Sequence, residues 1–334
     1  MSSDRRDFFK KVAGTAATLA GVEALRGATG ATPNAHAAGA ADQRGFVAGR
    51  FALELEGAMA GFLQSMEGGD ATADVVEEEG DESCSTRKHL ANVNYQDIEI
   101  SCGIGMSADF YEWIQSVLNC EFSPRSGAIL TADFAFKEIA RRSFTSALIT
   151  EITVPKLDAA SKDPALMTVT LSPESTRRQK GSGNKLTPCA MGKAQKKWLA
   201  SNFRLTIDGL DCTKVSKVDA ITIKQKVTER EPGKLEIPNL AITLAESSAQ
   251  SFYDWHEDFV INGNNGSESE KNGMLEYLTP NLGQALFTIN FQHLGIFRLA
   301  PEKAEAGSDQ IRRVEAEMYC EQMTFKFGKG AAGC

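Results

Sequence analysis

This chain of 334 residues has little of what chemistry at a site usually requires. It holds four histidines, and the three beyond the N-terminal segment, His89, His256 and His293, stand at no metal-ligand spacing. Its seven cysteines, Cys84, Cys102, Cys120, Cys189, Cys212, Cys320 and Cys334, form no Cys-x-x-Cys pair, which removes the usual zinc signature. There is no Gly-x-Ser-x-Gly elbow, no phosphate-binding glycine loop and no His-Glu-x-x-His helix. Residues 262–268 are polar and glycine-rich but lack the alternating aspartates and the terminal glutamate spacing of a calcium loop. No catalytic, cofactor-binding or metal-binding residue is assigned, and the expectation is a protein that is not an enzyme. An excess of positive charge is also missing. The formal net charge is −8, which argues against nucleic acid binding over the outer surface. Past residue 40 no apolar run is long enough for a spanning helix.

What the chain does have is a stretch that occurs twice. Asp109-Phe110-Tyr111-Glu112-Trp113 returns as Ser251-Phe252-Tyr253-Asp254-Trp255, with Phe252 lying 142 residues after Phe110. In each copy an alternating apolar run precedes the aromatic block, Ile98-Glu99-Ile100 in the first and Leu240-Ala241-Ile242 in the second, again 142 residues apart. Phe110, Trp113, Ile114, Val117 and Leu118 recur at helical spacing, as do Phe252, Trp255, Phe259 and Val260, so each set predicts one buried helix face. The core residues expected on these helices are Phe110, Trp113 and Ile114, and Phe252, Trp255 and Phe259. Ser107 or Asp109 is the expected cap of the first helix, and Ser247 with Gln250 that of the second. Upstream, residues 51–57 match 203–209 at a spacing of 152, each a period-two strand ending at glycine. The drop from 152 to 142 places about ten extra residues in the first copy, in an acidic loop near 74–88. Further strands are expected at 97–101, 127–136, 143–154 and 166–171, and at 220–227, 239–244, 284–291, 295–299 and 314–327. The fold class is therefore mainly β, α+β in detail: two tandem antiparallel sandwich or barrel domains, each with one packed helix.

The first forty residues read as an address. Arg5-Arg6-Asp7-Phe8-Phe9-Lys10 resembles the twin-arginine export motif, and an apolar run and small-residue cleavage sites follow. The expected divisions are a signal peptide at 1–40, domains at 46–172 and 198–328, a basic linker at 173–197 and a short tail at 329–334. Removing the five basic and three acidic residues of 1–40 takes the net charge from −8 to −10. The location expected is outside the cytoplasm: periplasm, cell surface or medium. From Ser175 to Lys197 the linker holds seven basic residues and no acidic one, whereas the loop of the first copy carries Glu77, Glu78, Glu79, Asp81 and Glu82. The expected assembly contacts are these acidic residues on one subunit with Arg177, Arg178 and Lys180 on a neighbour. The odd number of cysteines leaves disulfide pairing open, with Cys334 a candidate for an intermolecular bond.

The order of a strand ending in Ile/Leu-Asp/Glu-Gly, a loop, an Ile-x-Ile/Leu strand, a Phe-Tyr-x-Trp helix and closing strands is similar to the tail tube proteins of contractile phage tails and the related Hcp proteins. Phe110-Tyr111-Glu112-Trp113-Ile114 carries the family's helix pattern. The resemblance implies a structural subunit that closes six-fold rings by joining sheets between neighbours and stacks rings through its long loop. With two such domains per chain, the expected partner is the chain itself, in a trimer with a pseudo-six-fold ring, and other tube or baseplate-like components are further candidate partners. The resemblance implies no cofactor. Two other classes of reading are a soluble trimeric hub or adaptor at a tube end and an exported cofactor-binding enzyme.

Overall fold

The computed structural model describes residues 49–78, 86–121, 123–187, 198–228, 231–303 and 311–327. The expected signal peptide and C-terminal tail lie outside them, as do Glu79, Asp81 and Glu82. By contacts the chain divides at Gly45, and all described residues belong to the unit Phe46–Cys334.

In the first lobe, β1 (Arg50–Leu55) turns into β2 (Ala58–Gly68), and β3 (Ala71–Glu78) pairs with β4 (Arg87–Tyr95) as a separate hairpin. Then follow β5 (Ile98–Cys102), helix α1 (Ala108–Leu118), β6 (Arg125–Ala132), the long β7 (Glu138–Val154), the short β8 (Leu157–Asp158), β9 (Met167–Ser172) and β10 (Ser175–Lys180). The second lobe repeats much of this order with β11 (Phe203–Ile207), β12 (Val215–Val218), the hairpin β13 (Ile221–Thr228) and β14 (Glu231–Glu236), and β15 (Leu240–Ala245). Helix α2 (Gln250–His256), β16 (Lys271–Leu278), β17 (Ala285–Pro301) and β18 (Arg313–Phe327) complete it.

Six strands of the first lobe close into a barrel in the order β1, β2, β5, β9, β7, β6 and back to β1, every neighbour antiparallel. The second lobe follows the same path through β11, β16, β17, β18, β15 and β12, but β12 does not pair with β11. Its barrel stays open there, and β8 from the first lobe pairs with β12 beside the seam. Alternation explains the strands: Leu240, Ile242 and Leu244 are buried while their neighbours face outward. The turn after each first strand needs glycine, because Gly57 and Gly209 sit at φ of 82° and 73°. Each long strand has a bend at a non-glycine residue of positive φ, Ser146 in β7 and His293 in β17.

Both helices pack their aromatic face inward. Ser107 caps α1, its hydroxyl accepting from the Phe110 N–H at 3.2 Å. In α2 the expected Ser247 cap does not form. Ser247 lies within a 3-10 turn, Glu246–Ser248, and Ala249 takes the cap position with no side-chain bond. The α2 helix runs into a π-helical turn, Glu257–Ile261, whose wider spacing swings Val260 off the buried face to 42% exposure, against the expectation. Phe252, Trp255 and Phe259 remain buried, as do Phe110, Trp113 and Ile114. The two indoles are anchored alike, Trp113 Nε1 donating to the Ser123 carbonyl at 2.8 Å and Trp255 Nε1 to that of Ser269 at 3.2 Å.

Two segments differ from their expected form. Residues 74–88 were expected as a loop, yet 74–78 and 87–88 lie in the exposed β3–β4 hairpin. Of the segment expected as a basic linker, Ser175–Lys180 is a strand on β7, because the long β7 extends past its barrel pairing and offers an edge. The chain then stays on this lobe through Leu186, whose N–H bonds the Phe136 carbonyl at 2.7 Å. One apolar cluster runs through both lobes, and a smaller one holds Ala52, Ala128, Leu130, Ala132 and Leu186. Among the described residues Cys102, Cys120, Cys212 and Cys320 are free thiols.

Candidate assembly surfaces

The two lobes are joined by a strand junction and a helix contact. The β13–β14 hairpin leaves the second lobe and extends the first lobe's sheet, Ile221, Thr222, Ile223 and Lys224 lying opposite Val154, Thr153, Ile152 and Glu151. Lys224 Nζ lies 3.1 Å from the Glu151 carboxylate, and the hydroxyls of Thr153 and Thr222 are 2.9 Å apart. Ile152, Val154, Ile221 and Ile223 are all buried. Beside this, the Tyr111 ring on α1 stacks on Phe327 of β18 with centroids 4.0 Å apart, and Phe327 stacks on Phe287. Burial raises the Tyr111 pKa, and its hydroxyl donates to the Ile104 carbonyl at 2.5 Å, so the ring enters the contact as a neutral phenol.

The hairpin and the strand edge of this junction each have a counterpart that no other strand pairs among the described residues. Past Leu294 one side of β17 is unpaired among the described residues, since β16 ends its pairing there while β18 continues on the other side to Pro301. Glu302 N–H donates to the Arg313 carbonyl, so by strand alternation the N–H and C=O of Leu299 face the open side. The β3–β4 hairpin corresponds to β13–β14 but pairs with no other strand among the described residues. It exposes Val75, Val76, Leu90 and Val93, and exposed apolar side chains on an unpaired hairpin mark an interaction surface. Its base is held firmly, by Arg142 on Asp70 at 2.8 Å and by the Thr176 hydroxyl donating to the Gly69 carbonyl at 2.7 Å.

The expected assembly residues fall on two of these elements. Glu77 and Glu78 lie on β3 facing Lys88 and Arg87, with a Glu77–Lys88 ion pair of 2.5 Å, so the hairpin answers part of its own charge. Arg177, Arg178 and Lys180 are exposed on β10, and among the described residues none of them forms an ion pair. Of the acidic set only Glu77 and Glu78 are among the described residues, and neither forms an ion pair with Arg177, Arg178 or Lys180.

Two further features lie outside any expectation. Along the open β11–β12 seam runs a cleft of about 650 Å³ lined by Phe203, Leu205, Ile207, Leu210, Cys212 and Val215. Burial pushes the Cys212 thiol up to about 11, leaving it a poor nucleophile there. Glu270, His293 and Glu321 place ligand atoms within 4.8 Å of one another and are the described residues that could hold a metal ion. Glu270 already accepts from the Tyr319 hydroxyl at 2.7 Å and lies 2.8 Å from His293 Nδ1, which ties β16 to the bend of β17. Burial, with Glu270 alongside, raises Tyr319 to about 12. Nothing in the spacing of these residues along the chain marks them as a set.

Residues 47–177 match the family described as T4-like virus tail tube protein gp19, which makes the first lobe tail-tube-like. No curated protein matches the chain. Among solved structures, the chain is similar to the PVC sheath-tube complex of an extracellular contractile injection system, at 20% identity and a TM-score of 0.37. That alignment covers 42% of this chain and 94% of the other. The cap that terminates the tube of the anti-feeding prophage aligns at 23% identity and the same TM-score, over 42% and 93%. A component of that particle's baseplate aligns at 11% identity and 0.25, over 54% and 94%.

Proposed function

We propose that the protein is a structural subunit that assembles with copies of itself into a tube-type ring, both lobes acting as copies of one tube domain. The observation that carries this is the strand junction inside the chain. A hairpin of one lobe extends the sheet of the other, while the equivalent hairpin, β3–β4, and the equivalent edge, on β17, are both left unpaired among the described residues. Laying β3 of one copy on β17 of the next repeats the internal junction and satisfies backbone groups that an isolated edge leaves open. The contact is heterologous, so it closes only as a ring or runs on as a filament. Three chains would supply six lobes and a pseudo-six-fold wall. Holding two lobes on one chain lowers the cost of association, because one lobe is kept at high effective concentration beside the other. Mass measurement of the assembled particle tests this: three chains per ring is the expected result, and six chains, or a protein that stays monomeric at high concentration, would overturn it.

A further inference from the structure

The junction inside the chain includes a helix-to-strand contact, and its counterpart on the outside has a different chemistry. Inside, Tyr111 of α1 rests on Phe327, at the end of β18 where Phe327, Phe325 and Thr324 lie opposite Phe287, Ile289 and Asn290 of β17. The bends at Ser146 and His293 align β7 with β17 at a spacing of 147 residues. On that alignment Lys180, Arg178 and Arg177, opposite Ala140, Arg142 and Ser143 of β7, hold the places of Phe327, Phe325 and Thr324. On α2 and the π-helical turn that follows it, the same correspondence, at 142 residues, puts Tyr253 in the place of Tyr111, with Asp254, Glu257 and Asp258 at the positions of Glu112, Gln115 and Ser116.

Resting on the ring reading above, we propose that the junction between copies is ionic where the junction inside the chain is apolar: Asp254, Glu257 and Asp258 of one copy dock on Arg177, Arg178 and Lys180 of the next. The charges are of opposite sign and of equal number. All six side chains are exposed, and among the described residues none is in an ion pair. Arg178 lies directly opposite Arg142 in the β10–β7 ladder, a like-charge arrangement that costs stability. Asp70 neutralises Arg142, and Arg178 is left for an outside anion. A second copy is the occupant because α2 and β10 are the counterparts of α1 and the end of β18, the two elements that the Tyr111–Phe327 contact joins inside the chain. Two lobes of one chain would then be packed permanently, while copies associate in a salt-dependent way.

The test measures the equilibrium between ring and single chain for the full chain across a salt series. Wild type is expected to dissociate progressively as salt rises. Arg177→Glu with Arg178→Glu, and separately Asp254→Lys with Glu257→Lys, should each weaken assembly by about 100-fold at low salt. The chain carrying all four substitutions should recover most of the loss, which no effect on folding alone would produce. The acidic-side variant keeps the test decisive if the β10 variant folds poorly, because a cation at the end of α2 favours the helix. Rings that form equally well in the reversed variants, or that ignore salt, overturn the ionic junction and leave the ring reading standing. A wild type that never forms a ring removes both.

Discussion

Glu138 is, among the described residues, the buried side chain that carries a charge, at 3% exposure. Burial alone would raise its pKa, but hydrogen bonds from Arg141 at 2.7 Å and from the Ser182 hydroxyl at 2.6 Å outweigh that and hold it below the usual carboxylate range. Arg141 also reaches Glu54, which ties β7 to β1. A carboxyl with a depressed folded pKa contributes stability that is fully present above its unfolded value of about 4.3 and is lost as pH falls through the folded value. Glu138→Gln is therefore expected to cost about 1–3 kcal/mol at pH 7. The gap from wild type should narrow steadily below about pH 4, as urea titrations at several pH values would record. A gap that is constant with pH would mean that Glu138 acts through packing instead. None of this was legible in the sequence, where Glu54 and Ser182 lie 84 residues before and 44 residues after Glu138 and nothing in the spacing links them.

At the scale of elements, legibility followed burial. The strands β1, β5, β9, β11 and β15 each put one face into the core, and that alternation is written in their residues. The hairpin β3–β4 is exposed along nearly its whole length, so no alternation marks it, and its charges read as a loop. For the same reason β10, exposed from Arg177 to Lys180, read as a linker. The surfaces proposed for assembly are therefore the elements hardest to see, since an exposed strand has no core face to declare it. Both helices were legible from aromatic spacing up to the π-helical turn, whose extra residue per turn no simple period anticipates. Trp113→Ala, at a fully buried site, should destabilise the protein by about 3–5 kcal/mol, and Trp255→Ala by the lower part of that range. Val260→Ser, on the exposed side of α2, should stay within about 0.5 kcal/mol of wild type. Chemical denaturation of the three variants checks the order, and a large loss for Val260→Ser would put that residue back in the core.

At the scale of the whole molecule, the two lobes share what would otherwise be separate interiors. One apolar cluster runs through both, β13 of the second lobe lies on β7 of the first, and Tyr111, Phe327 and Phe287 form a stack that crosses from α1 into the second lobe's sheet. Neither lobe can open without exposing surface that the other buries, so unfolding should be a single transition rather than two. Trp113 and Trp255 report on the first and second lobes separately. Variants that keep only one of them, with the remaining tryptophans changed to Phe, are expected to give coincident urea midpoints by fluorescence. Ile223→Asp places a charge at a buried site on the shared strand junction and should cost about 3 kcal/mol or more. Its effect should appear equally at both reporters although the residue belongs to the second lobe. A midpoint that moves for Trp255 and not for Trp113 would show two independent lobes, and the internal junction would then be a contact of convenience and no template for the one between copies.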